Sequence, residues 1–281
     1  MKSLKIQTIL AAVDPSDHGR CVMEYAAWVG QVFAAEVTGL FVVDFRKIEG
    51  PLLRDYLATV GLDPTQDYRS RILKFYELKG AELLDRFQER CAEVGVRFRP
   101  ICTKGIVSDV ISHEAESRSL VILGRKGEHA EWACDDLGSS VERVVRRSPV
   151  PVLVTPKHFT PISRALVGFD GGAHSRDALS LAAELHRRVS LEVTVLVVGE
   201  GARAEALQAE AMGLLGDIAA DVPVRVQPGS EVETILDAAQ ERRCGLVILG
   251  TSGHGKIRSL LVGATSDAVL RRASTPVLLT R

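Results

Sequence analysis

Gly250, Gly253 and Gly263 lie between an apolar run ending at Leu249 and a helical pattern that opens at Ala264. Glycine lets a backbone approach a ligand closely and adopt left-handed conformations. A helix opening at Ala264 presents unbonded N–H groups and a partial positive charge to whatever the loop holds. Thr251, His254, Gly255, Lys256, Arg258 and Thr265 sit in or beside the same loop. In strand-loop-helix order, these residue types suit the binding of an anion such as a phosphate. A surface loop punctuated by turn glycines is the simpler alternative. Gly250–Lys256 also spells G-x4-G-K, but Ile257 stands where a P-loop needs a magnesium-binding Ser or Thr. The segment also follows the fourth strand of its unit rather than the first, so a P-loop is rejected.

A second set of the same kind comes earlier: Gly124, Gly127 and Gly138, followed by Ser139 and Ser140. Here ten residues rather than nine separate the last two glycines. Asp14 and Asp170 each close an apolar run. A carboxylate there could hold a ribose hydroxyl, an adenine amine or a metal, or cap the helix that follows. Ser16 can take the capping role after Asp14, whereas Gly172 occupies that place after Asp170. His18 and His174 read as surface histidines, since no Ser or Cys nucleophile is placed with them. Asp135 and Asp136 are adjacent and therefore diverge, which fits a solvated loop better than an acid–base pair.

The elements that must position these residues occur twice. Asp14 and Asp170 lie 156 residues apart, and His18 and His174 keep that offset, as do Arg20 and Arg176. LVILGRKG at Leu120–Gly127 matches LVILGTSG at Leu246–Gly253 at an offset of 126. Gly138–Thr155 matches Gly263–Thr280 at an offset of 125. The chain is therefore two copies of one domain, 1–157 and 162–281, joined at Pro156–Ser163. The first copy holds an extra helical stretch within about 45–95, following the turn at Gly61–Pro64. In the first copy, strands are expected at Ile6–Val13, Val37–Val43, Val96–Cys102, Leu120–Leu123 and Pro151–Val154. Helices are expected at Gly19–Phe33, Arg69–Val94, Val107–Arg118 and Ser139–Arg147. Strands that are apolar throughout and alternate with helices imply a parallel sheet covered on both faces. Such a sheet binds ligands beyond the carboxyl ends of its strands, at the switch point.

Composition narrows the classes. The 281 residues carry a formal charge of −1, with 46% hydrophobic and 25% charged residues. That excludes disorder and argues against a non-specific nucleic-acid binder. The longest run without Asp, Glu, Lys or Arg, Cys244–Gly255, is twelve residues. It is too short to cross a bilayer. Five cysteines without a CxxC suggest neither a zinc site nor a disulfide framework. The chain reads as cytosolic.

Both copies resemble the universal stress protein domain, and the whole chain resembles a tandem member of that family. Its ATP-binding signature is G-x2-G-x9-G-[S/T], with an Asp closing strand one. Gly250, Gly253 and Gly263 fit it, with Ala264 where Ser or Thr is usual and Thr265 one position later. Gly124, Gly127, Gly138 and Ser139 fit apart from the ten-residue spacing. Asp14 and Asp170 fit the adenosine-contacting Asp, and Val42 and Val198 fit the residue whose backbone meets adenine. The resemblance implies an α/β fold of two tandem, doubly wound, five-stranded parallel-sheet domains. These are Rossmann-like, of the adenine nucleotide alpha-hydrolase-like type, and related by a pseudo-two-fold. It also implies a cytoplasmic stress-response regulator that binds ATP or another adenine nucleotide, with or without magnesium, and hydrolyses it slowly if at all. The resemblance assigns no catalytic residue, no protein metal ligand, and neither nucleic acid nor membrane as a partner. Val152–Thr155 and Val277–Thr280 would pair across an internal pseudo-dimer, with a homodimer of the whole chain as a further alternative.

Other readings are a nucleotide-dependent enzyme on the same sheet, or a scaffold that has lost nucleotide. Against the enzyme, Asp14-Pro-Ser-Asp-His stands where the related ATP enzymes carry Ser-Gly-Gly-x-Asp-Ser. The extra helical stretch is expected over or beside the first cleft. The second site is expected to be the better ATP site. Lys256 and Arg258 lie between Gly253 and Gly263 with no Asp or Glu, whereas Glu128, Glu131, Asp135 and Asp136 lie between Gly127 and Gly138 with no Lys or Arg.

Overall fold

The computed structural model describes residues 5–44, 66–128, 137–251 and 263–281. The first half runs β1 (Thr8–Ala12), α1 (Asp17–Phe33), β2 (Glu36–Asp44), α2 (Gln66–Glu93), β3 (Phe98–Gly105), α3 (Val107–Ala115), β4 (Leu120–Gly124), α4 (Ser139–Arg147) and β5 (Val152–Thr155). The second runs β6 (Arg164–Gly168), α5 (Ala173–Val189), β7 (Glu192–Val198), α6 (Gly201–Leu215), β8 (Val224–Gln227), α7 (Glu231–Glu241), β9 (Leu246–Gly250), α8 (Ala264–Arg272) and β10 (Val277–Thr280).

The strands form one ten-stranded sheet in the order β3-β2-β1-β4-β5-β10-β9-β6-β7-β8. Each half is parallel and doubly wound, with β1 paired to both β2 and β4, and β6 paired to both β7 and β9. The halves meet at β5 and β10, which pair antiparallel with Leu278 opposite Leu153. Each terminal strand thus covers the edge that the other half would leave open. The terminal segments pair as their repeated sequence predicts.

Alternation along the strands divides the interior into two layers. Ile9 and Ala11 join a cluster on one face, while Leu10 joins a second cluster on the other. The first face is covered by α1, α2, α5 and α6; the second by α3, α4, α7 and α8. Both layers run across the seam. On the first face, Trp28 and Phe33 of α1 and Leu181 and Leu185 of α5 surround a gap of about 20 Å³. On the second, the Arg271 guanidinium reaches Glu142 at 3.5 Å, and that of Arg281 donates to the Val145 carbonyl.

Boundaries shift at one informative place. Val96 was expected to open the third strand, which instead begins at Phe98. Gly95, at φ +73°, turns the chain, and the Val96 N–H bonds the Cys91 carbonyl at 2.9 Å. Val96 is buried in the core without pairing in the sheet. The extra stretch of the first half includes the 28-residue α2, which packs on β2 and β3 through the fully buried Phe87. Gly80 passes so close to Phe41 that a Cβ there would lie 2.4 Å from its ring. The turn expected at Gly61–Pro64 lies outside the described residues.

Candidate functional site

A cleft opens at the carboxyl ends of the strands in each half, where the direction of winding reverses. The first has a volume of about 470 Å³ and is lined by Asp14, Val42, Gly124, Gly127, Gly138, Ser139 and Ser140, among others. These are all the residues the sequence assigned to the first copy. The second, of about 440 Å³, is lined by Asp170, Val198, Gly250, Gly263, Ala264 and Thr265 from the assigned set. Gly253, His254, Gly255 and Lys256 lie outside the described residues.

Thr251 does not join them. It is 5% exposed, and its hydroxyl donates to the Thr280 carbonyl at 3.0 Å and lies 3.0 Å from His174 Nδ1. Its side chain fastens the end of β9 to β10 and to the first turn of α5. His18 and His174 are likewise half-buried rather than surface residues. Burial pushes the His18 imidazole below its ordinary value of 6.5.

These histidines account for the first glycine of each set. A Cβ on Gly124 would lie 2.8 Å from the Cβ of His18. On Gly250 it would lie 2.7 Å from the Ser175 nitrogen and 2.8 Å from the His174 carbonyl carbon. The opening turn of α1 or α5 rests on the end of β4 or β9, and only hydrogen fits between. This requirement is one of packing and holds whether or not a ligand is bound.

The two carboxylates differ in their engagements. Asp14 does not cap α1; Ser16 does, its hydroxyl accepting from the Gly19 N–H at 3.2 Å. Asp14 Oδ1 accepts from the Ser16 N–H at 3.0 Å and from its hydroxyl, while Oδ2 accepts from the Glu128 N–H at 2.8 Å. In the second half, Asp170 Oδ1 accepts from the Gly172 N–H at 2.8 Å, and α5 has no side-chain cap. At the opening of α8, the Thr265 hydroxyl donates to the Glu231 carboxylate and the Ser266 hydroxyl to the Gly250 carbonyl at 2.6 Å.

Several lining residues escaped the sequence reading. Tyr76 of α2 and Val107 of α3 line the first cleft; Arg203 and Leu207 of α6 and Glu231 of α7 line the second. The expectation that the extra helical stretch borders the first cleft agrees with Tyr76 and with the Lys79–Glu128 ion pair at 3.0 Å. Charge contrasts less than the loops alone suggest. The described lining holds Asp14, Asp44 and Glu128 against Lys126 in one cleft, and Asp170, Glu200 and Glu231 against Arg203 in the other. The remaining contrast resides in residues 129–136 and 252–262, outside the described set. No helix among the described residues is long and apolar enough to cross a membrane.

Comparison with known proteins agrees with this architecture. The sequence profile of the Universal stress protein family matches twice, over residues 5–156 and 161–281. A universal stress protein of Synechocystis sp. is 27% identical over 284 residues, covering 97% of this chain and 99% of its own. One from Mycobacterium tuberculosis is 32% identical over 200 residues, covering 61% of this chain and 63% of its own. Among solved structures, a universal stress protein from Archaeoglobus fulgidus superposes with a TM-score of 0.77 at 22% identity, covering 100% of this chain and 99% of the other. With two matches to the family profile spanning both halves of a continuous sheet, the chain belongs to the universal stress protein family as a tandem member.

Proposed function

We propose that the second-domain cleft binds ATP or a related adenine nucleotide, and that the chain is a cytoplasmic stress-response regulator that senses this ligand. One observation carries the reading. Asp170, Val198, Gly250, Gly263 and the N-terminus of α8 line a single cavity of about 440 Å³ beyond the strand ends. Val198 ends β7 and offers backbone groups to the edge of a base. The Asp170 carboxylate accepts from ribose hydroxyls. The α8 N-terminus, with Arg203 in the same lining and Lys256 and Arg258 in the loop sequence, favours phosphates. Glu231 opposes them unless a divalent cation such as magnesium intervenes, so binding should strengthen in its presence.

This lining suits recognition, with at most slow hydrolysis. The test is the nucleotide content of full-length protein purified without added ATP, followed by calorimetric titration. Arg203→Ala and Asp170→Asn should each weaken ATP binding about tenfold, as expected for a lost charge-assisted hydrogen bond. No bound or titratable adenine nucleotide in the wild type would sink the reading. Multiple-turnover ATPase measurement separates this regulator from an enzyme.

A further inference from the structure

The two clefts share a frame but differ in lining at matched positions. Val107 opens α3 and lines the first cleft, where Glu231 opens α7 and lines the second. Tyr76 of α2 lines the first, where Arg203 and Leu207 of α6 line the second. Val43 stands in the place of Gly199. Each exchange puts apolar or aromatic surface where the second cleft has a charged group or bare backbone.

The polar groups of the first cleft are also arranged differently. In a glycine loop, a phosphate is met by backbone N–H donors. Here the Glu128 N–H, just past Gly127, is donated to Asp14 Oδ2 at 2.8 Å. The protein's own carboxylate takes the donor that an anion would need. The Glu128 side chain is held by Lys79 of α2 at 3.0 Å, so the inserted helix keeps this loop residue beside the cleft. The described linings otherwise carry the same balance of charge, Lys126 against Asp14, Asp44 and Glu128 here and Arg203 against Asp170, Glu200 and Glu231 in the second cleft.

We infer that the first-domain cleft is a receptor for an uncharged, planar-ring ligand of the nucleoside class, with Tyr76 as the residue that stacks on the ring. Asp14 and Asp44 can accept hydrogen bonds from ribose hydroxyls, while the Glu128 N–H that a phosphate would use is already held by Asp14. A flat ring gains from Tyr76 and from the apolar surface of Val42, Val107 and Ile111, and it needs no loop donor. The inference rests on the adenine-nucleotide reading only for the shared frame, and a separate arm of the experiment tests each.

The experiment titrates the full-length chain calorimetrically with adenosine, in the absence and presence of saturating ATP with magnesium. The expected result is one adenosine per chain bound alongside ATP. Tyr76→Ala should weaken it about tenfold or more, as a lost ring stack would. Tyr76→Phe should retain it, and Arg203→Ala should leave it unchanged. Val107→Trp, which fills the cleft from α3, should also abolish it and decides the matter if Tyr76→Ala melts. The inference falls if no adenosine binds alongside ATP. It also falls if adenosine binding survives both Tyr76→Ala and Val107→Trp, or if ATP binds at two per chain and Tyr76→Ala removes one. Adenosine binding as expected with no ATP binding would overturn the nucleotide reading of the second cleft and leave this inference standing.

Discussion

Tyr25 shows how one side chain can fasten the linker to the first domain. Its ring is fully buried in α1, 4.7 Å from that of Phe159 in the linker. Its hydroxyl donates to the Thr160 carbonyl at 3.1 Å and lies 3.2 Å from the Thr160 N–H. Burial pushes the phenol up to about 12, so it remains a neutral donor at any physiological pH. Tyr25→Phe removes the partner of two backbone groups and should cost about 1–2 kcal/mol, read as a melting temperature lower by about 2–8 °C. His18 acts on pH dependence. Its folded value lies below the ordinary 6.5, so the unfolded chain takes up a proton that the folded chain resists. Its contribution to stability is therefore present above 6.5 and is lost as pH falls through and below that value. Urea midpoints of wild type and His18→Gln, compared at about pH 7.5 and about pH 5.5, should show the smaller acid loss in the variant. Equal losses would mean that His18 does not titrate in this window.

At the scale of elements, the meeting of each first helical turn with a strand end is the tightest constraint on the clefts. Gly124→Ala and Gly250→Ala each place a methyl within 2.8 Å of His18 or of the His174–Ser175 backbone. Each should destabilise the chain by about 1–3 kcal/mol in chemical denaturation, with or without nucleotide. If either variant kept full stability and lost only ligand binding, the glycine would belong to the ligand rather than to packing. The same contacts show what could be read from sequence. The repeated LVILG runs, the closing Asp residues and the spaced glycines placed β4, β9 and both clefts, because they depend on local pattern alone. Thr251 could have been read correctly by extending the strand alternation one residue past Gly250, which turns its side chain away from the cleft. Tyr76, Arg203 and Glu231 could not. Periodicity shows which face of a helix is apolar, but not which strand that helix will cross. Val96 misled because an apolar β-branched residue after a glycine looks the same whether it opens a strand or plugs a helix end.

For the whole molecule, the seam between β5 and β10 is short but dry, with both strands buried along their full length. Residues 1–157 expressed alone should therefore self-associate, with Val152–Thr155 pairing to its copy, and light scattering should report a dimer. A clean, stable monomer would count against the seam as the organising contact. The seam also has a hereditary consequence. When two identical chains meet about a two-fold axis, every mutation arrives in both halves at once, and a change that improves one pocket must be tolerated in the other. Fusion of the halves into one gene lifts that restriction. Val107 opposite Glu231, and Tyr76 opposite Arg203, are differences that a symmetric pair of identical subunits could never display. In this chain the two pockets can drift apart, one codon at a time, while the sheet that joins them stays the same.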